Sequence, residues 1–185
     1  KKLRYKVDQQ VLSLKRLIQD IYIGDEDEGS IELLIKEIMI NNRKTLSVAE
    51  SCTGGKISSI FTFHKGASKF FNGGIIAYSN ESKSSILNIS DALIKKEGSV
   101  SSNVAEAMAL GVKKHFKSDY GIATTGNAGP TAGDNKSEIG IVYIAISGPD
   151  DVISYRYQMG NNRERVINKT TNKALELFFR YIKSD

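Results

Sequence analysis

Apolar residues recur along this chain with two periods, and the switches between them outline its architecture. Val7, Val11, Leu14, Ile18 and Ile21 stand four and three residues apart, a helical stripe with a heptad-like seam. The stripe lasts about two heptads, short of the roughly three or four that mark a coiled coil. The expectation is a helix lying on another domain or subunit. "GDEDEGS", residues 24–30, then breaks the pattern with charge and glycine and marks a boundary. Ser30 stands where it can cap the next helix, whose apolar face is Ile31, Leu34, Ile35, Ile38 and Met39.

After "NNRK" the pattern turns strand-like. Short apolar runs at 45–49, 73–79 and 120–124 read as strands, and the first and third lead straight into glycine-rich turns. Between them the spacing predicts a helix carrying Ile57, Ile60 and Phe61, a helical region around Ile86 and Leu87, and a short helix at 92–96. Asn103 and Glu106 hold capping-box spacing ahead of Val104, Met108, Val112 and Phe116, which predicts an amphipathic helix. Residues 139–146 and 152–159 read as strands of a hairpin around the turn 148–151, and a last helix from about 162 to 181 carries Val166, Thr170, Ala174, Leu177 and Tyr181. Strands alternating with helices, then a hairpin and a helix, imply a layered α/β domain with a mixed sheet. There is no internal repeat.

Composition narrows the class. The 185 residues are 40% hydrophobic and 25% charged, as expected of a globular protein with a buried core. No apolar run approaches the roughly 20 residues of a membrane-spanning helix, and the opening "KKLRYK" has no apolar signal region behind it. A single cysteine cannot form an internal disulfide, which fits a reducing cytoplasm. The absence of an initiator Met points to a processed chain or a piece of a larger protein. The net charge of +5 is spread without a basic stripe, so a nucleic-acid partner is disfavoured and a small anionic substrate fits as well.

Candidate chemistry gathers after the strands. "ESCTGG" (50–55) and "TTGNAGP" (124–130) are small, hydroxylated and glycine-rich, and ligands of open α/β sheets collect at the carboxyl ends of strands. Such turns let backbone approach a ligand, and the N–H groups of a following helix attract anions. Neither loop has a Walker A or dinucleotide-binding spacing, and either alone is compatible with a structural turn. "YSNESK" (78–83) adds a tyrosine and a lysine five apart at a strand end. A serine nucleophile needs a base, which a desolvated lysine can supply where no histidine is placed to do so. His64 reads as a helix end and His115 as an exposed helix position; no spaced His, Cys and carboxylate set suggests a metal. Cys52, beside Ser51, reads as a small packed thiol.

"AESCTGG", "YSNESK" and "TGNAGP", followed by "GIVYIAI" and "GNNRERV", together resemble the C-terminal domain of the competence/damage-inducible protein CinA, which is also the stand-alone nicotinamide-nucleotide amidohydrolase. The resemblance covers about residues 31–181, with every motif in order. It implies a three-layer α/β/α sandwich with a mixed sheet, commonly dimeric, so a homodimer is expected. It implies hydrolysis of the carboxamide of nicotinamide mononucleotide to nicotinate mononucleotide and ammonia, without a cofactor. By the same resemblance Ser51 is the nucleophile, and Tyr78 and Lys83 activate it. Thr125 and Arg163 match ligand-contacting positions, and Glu50, Thr53, Gly54, Gly55, Gly126, Ala128 and Gly129 complete the substrate-binding set expected of the two loops. "IYIGDEDEGSIELLIKEI" is similar to the junction before this domain in full-length CinA proteins. That implies an N-terminal helical extension or linker at 1–27, a catalytic domain at 28–185, and a molybdopterin-binding-like N-terminal domain in the longer protein. Asn127, Thr131 and Ala132 depart from a commoner G-I-A-G-P-D-G-G, "KSEIG" replaces K-P-V-G, and Asn162 replaces an Asp. The alternative is a catalytically silent domain that binds a nucleotide or serves assembly.

Overall fold

The computed structural model describes residues 2–17, 29–131 and 137–184. Its helices are α1 (Lys2–Leu17), α2 (Ile31–Asn41), α3 (Lys56–Phe63), α4 (Asn80–Leu87), α5 (Asp91–Glu97), α6 (Ser102–Phe116) and α7 (Arg163–Ser184). The strands are β1 (Leu46–Glu50), β2 (Phe71–Ile76), β3 (Tyr120–Gly126), β4 (Ile141–Ser147) and β5 (Val152–Gln158), in the sheet order β2-β1-β3-β4-β5. β1 is parallel to both β2 and β3, whereas β4 and β5 run antiparallel to their neighbours. Parallel pairs need crossovers, and helices supply them: α3 between β1 and β2, and α4 to α6 between β2 and β3.

The two faces of the sheet differ in side-chain size. On one, Leu46, Val48, Ile122 and Ile144 meet Ile35 and Met39 of α2, Ile57 and Phe61 of α3, and Phe178 of α7. On the other, the strands offer Ala49, Ala123 and Ala145 to Val104, Ala105, Met108 and Val112 of α6, with Leu87 and Ile94 from α4 and α5 beside them. Small residues let α6 approach closely: a Cβ on Gly121 would lie 2.3 Å from the Ala109 carbonyl oxygen. The result is the expected three-layer α/β/α sandwich with a mixed sheet.

Several boundaries shift. β2 spans Phe71–Ile76 rather than 73–79, because its register pairs Leu46 with Phe71 and Glu50 with Ile76 and so ends where β1 ends. Tyr78 and Ser79 then form the entry to α4, where Ser79 Oγ accepts from the Ser82 N–H. The cap of α6 is Ser101, not Asn103: Ser101 is extended, and its hydroxyl accepts from the Val104 N–H at 3.4 Å. Glu106 instead accepts from the hydroxyls of Ser102 and Ser154. A run of serines offered an earlier cap than the capping-box spacing indicated. β4 starts at Ile141, after Gly140 in the left-handed region, and β3 extends to Gly126. Ser30 occupies the N-cap of α2, but its side chain makes no capping bond. α1 forms as expected, with Val7, Val11 and Leu14 exposed; Ile18, Ile21 and most of the acidic break lie outside the described residues.

Candidate active site

The turn after β1 is held from three directions. The Ser51 N–H donates to the Thr124 carbonyl at 2.9 Å, so the serine rides on the end of a central strand pair. Thr53 and Thr124 share a hydroxyl–hydroxyl bond of 2.7 Å that ties the turn to β3. Gly55 has φ +96°, and a Cβ there would also meet Ile76 Cδ1 at 2.9 Å, so both backbone and space demand glycine. Glu50, fully buried, folds its carboxylate under α3. It accepts from the N–H groups of Gly55 (3.0 Å), Ile57 (3.1 Å) and Ser58 (2.8 Å) and from the Ser58 hydroxyl (2.7 Å).

Lys83 comes from the first turn of α4 and is 2% exposed. Its Nζ donates to Ser51 Oγ at 3.3 Å and to the Tyr78 carbonyl at 3.4 Å. Both are long contacts. Tyr78 thus meets Lys83 through its backbone, while its phenolic oxygen accepts from Arg163 Nη2 at 2.9 Å. Arg163, at the start of α7, also donates through Nη1 to the Gly129 carbonyl at 3.1 Å, linking the α4 entry to the second glycine loop.

In that loop the Thr125 hydroxyl donates to the Ser99 carbonyl at 2.7 Å. Gly126 leaves no room for a side chain, since a Cβ would lie 2.5 Å from Val142 Cγ1. Asn127 is buried and donates to the Ser137 carbonyl at 2.9 Å. The Gly129–Pro130 peptide bond is cis.

These groups enclose a cavity of about 300 Å³. Ser51, Tyr78, Lys83, Thr125, Gly126, Ala128 and Arg163 all line it, drawn together from α4, β3, α7 and the turns that follow β1, β2 and β3. Glu50, Thr53, Gly54, Gly55 and Gly129 are not among its lining; they build the turns behind it. Sequence reasoning missed Ser79, Asn80, Ser99 and Val100, which also line it. Ser79 and Asn80 were legible as neighbours of Tyr78 in "YSNESK". The 99–100 turn carries no motif, and the Thr125–Ser99 hydrogen bond ties it to the second glycine loop.

Cys52 lines the cavity too, yet it is buried in the apolar core, and that burial pushes its thiol up to about 12. A thiol held protonated at neutral pH is a poor nucleophile. His64 closes α3 and faces Glu32 at 3.4 Å, and the His115 ring lies against Phe116, so neither enters the site. Among the described residues no group of three or more His, Cys, Asp or Glu could hold a metal ion. No described helix is long and apolar enough to cross a membrane.

The family model of the CinA C-terminal domain matches residues 28–182, most of the chain. The chain belongs to the CinA C-terminal domain family. Its relatives include a CinA-like protein of Flavobacterium psychrophilum, 42% identical over 180 residues, covering 97% of this chain and 43% of the relative. A CinA-like protein of Picosynechococcus sp. is 39% identical over 182 residues, with 97% and 43% covered. The chain therefore spans less than half the length of these curated relatives. Among solved structures, a CinA superfamily protein from Escherichia coli superposes with a TM-score of 0.78 at 28% identity, covering 86% of this chain and 94% of that one. The competence/damage-inducible protein CihA from Agrobacterium tumefaciens gives 0.76 at 29% identity, covering 82% and 95%. The CinA fold and family are thus shared along nearly the whole described domain.

Proposed function

We propose that this CinA domain hydrolyses the carboxamide of nicotinamide mononucleotide to nicotinate mononucleotide and ammonia, with Ser51 as nucleophile. The observation that carries the reading is the buried Lys83 amine, 3.3 Å from Ser51 Oγ in the wall of the cavity. A serine nucleophile needs a base, and the Lys83 amine stands within reach of Ser51 where no histidine enters the cavity, so the base role is assigned to it. Lys83 takes the Ser51 proton as Oγ bonds to the carboxamide carbon. The resulting tetrahedral oxyanion needs donors, and those of Gly55, Ile57 and Ser58 are already given to Glu50. The earlier N–H groups of the turn, at Cys52 and Thr53, are assigned to it. The protonated Lys83 then passes its proton to the departing nitrogen, ammonia leaves, and water, deprotonated by Lys83, cleaves the acyl ester.

The other walls suit this substrate. Thr125 commits its only hydroxyl proton to the Ser99 carbonyl, so toward a ligand it can only accept. A carboxamide NH₂ supplies the matching donor; a carboxylate product does not. Arg163, exposed at the cavity edge, offers a guanidinium fork to a phosphate. Tyr78 orients that fork rather than the serine, since its phenol bonds to Arg163 and only its carbonyl to Lys83. In the same reading the catalytic unit is residues 28–185, residues 1–27 are an extension, and the domain works as a homodimer in the cytoplasm within a longer CinA-like protein.

Ammonia release from nicotinamide mononucleotide, beside nicotinamide riboside, tests the reading. Release from the nucleotide alone supports both the reaction and phosphate recognition. No release by folded protein overturns it, in favour of a silent nucleotide-binding domain.

A further inference from the structure

Glu50 stands next to the proposed nucleophile, yet its carboxylate points away from the cavity and into the protein. An anion at the amino end of a helix satisfies backbone donors that lack intrahelical partners and meets the positive end of the helix dipole. In α3 that place is filled from within. Glu50 is fully buried and accepts from Gly55, Ile57 and Ser58 N–H and from the Ser58 hydroxyl, at 2.7–3.1 Å. β2 is shaped around this arrangement: a Cβ on Gly74 would lie 2.3 Å from Ser58 Oγ, so glycine there leaves room for the hydroxyl that completes the set. The α3 terminus thus has no donor at these positions left for an outside anion.

We propose that Glu50 is a positioning residue, an internal anion that locks the amino end of α3 and thereby holds the Ser51 turn in its attacking geometry. Its backbone lies in β1 and its carbonyl accepts from the Ala77 N–H at 2.8 Å, so strand, turn and helix are joined through this one residue. This inference rests on the amidase reading for its kinetic test, and it assigns to the protein's own carboxylate the anion-binding role that the glycine-rich turn suggests for substrate. The substrate phosphate is then read on the Arg163 side of the cavity.

Glu50→Ala vacates the carboxylate site, and a misplacement of about 1 Å at a reacting group costs roughly 100-fold in rate. The expected result is a kcat reduced about 100-fold with KM within about threefold of wild type, because no substrate contact is removed. Ser58→Ala, which deletes one of the four donors, should lose less. Formate or acetate at tens of millimolar (~0.05 M) should restore part of the Glu50→Ala rate and raise its Tm, with no such effect on the wild type, since bound anion stabilises only a protein with the site open. Glu50→Gln keeps the volume should the alanine variant fail to fold; it turns an NH₂ toward backbone donors, so its kcat should fall and formate should not restore it. A kcat within threefold of wild type in Glu50→Gln or Glu50→Ala overturns the proposal, as does a rise in KM alone, which would return Glu50 to the substrate. If the wild type releases no ammonia, the amidase reading fails separately. The formate-dependent Tm shift of Glu50→Ala then still decides the role of Glu50: a selective shift supports it and none overturns it.

Discussion

Replacing Lys83 with Met probes the proposed base while sparing the packing. Methionine is unbranched and of similar length, so the aliphatic stem in the 2% exposed site stays filled. What disappears is Nζ, with its contacts to Ser51 Oγ at 3.3 Å and the Tyr78 carbonyl at 3.4 Å. General-base catalysis contributes about 10²–10⁴-fold, so kcat should fall by about 1,000-fold, equivalent to about 4 kcal/mol of transition-state stabilisation. KM should stay within about threefold, because the amine meets the nucleophile rather than the bound nucleotide. Loss of the Nζ contacts is offset by removing a buried amine, so Tm should change by only a few degrees, on the order of a 1 kcal/mol effect. Steady-state ammonia release with a coupled assay, and thermal melts by circular dichroism, measure both. A variant with kcat within threefold of wild type and an unchanged melt would refute the assignment of Lys83 as base.

Other positions answer different questions. Thr125→Val removes the hydroxyl bonded to the Ser99 carbonyl; KM for the nucleotide should rise roughly 10-fold, in line with about 1–1.5 kcal/mol for one hydrogen bond, and an unchanged KM would remove Thr125 from carboxamide recognition. Phe178, fully buried and edge-to-face with Tyr120 at 5.7 Å between ring centres, anchors α7 to the sheet; Phe178→Ala should cost about 3–5 kcal/mol in urea unfolding. Burial raises the Cys52 thiol from 9.0 to about 12, so the folded protein keeps its proton where an unfolded chain loses it. The stability this contributes is fully present below about 9 and is lost as pH climbs from there toward 12, and Cys52→Ala should flatten that alkaline decline.

The sequence carried the layers well because they rest on periodicity. The apolar face of α2 and the strands that end in "ESCTGG" and "TTGNAGP" have patterns that only one layering can bury. Boundaries were less legible where tertiary pairing overrides local signals. β2 starts at Phe71 because β1 sets its register, and Ser101 rather than Asn103 caps α6 because the serine run offers an earlier extended residue. The cavity was legible wherever a motif supplies its wall, as at Ser51, Tyr78, Lys83 and Thr125. Ser99 and Val100 were not, since no motif marks them and Ser99 is tied to the site by a distant partner, its carbonyl accepting from the Thr125 hydroxyl. Glu50 shows the opposite case. Its place in the motif is plain, but the direction of its carboxylate, toward α3 and away from the cavity, depends on Ser58 and Gly74, which no local pattern connects to it.

The most direct measurement is turnover of nicotinamide mononucleotide by the wild type and by Ser51→Ala side by side, following ammonia and nicotinate mononucleotide together. Ser51 is buried in the cavity wall and bonded to Lys83, and removing it should leave the fold intact while covalent catalysis is lost. The account predicts equal amounts of both products from the wild type and a rate at least about 10⁴-fold lower from the variant. Near-normal turnover by a folded Ser51→Ala protein, or none by the wild type, would contradict it.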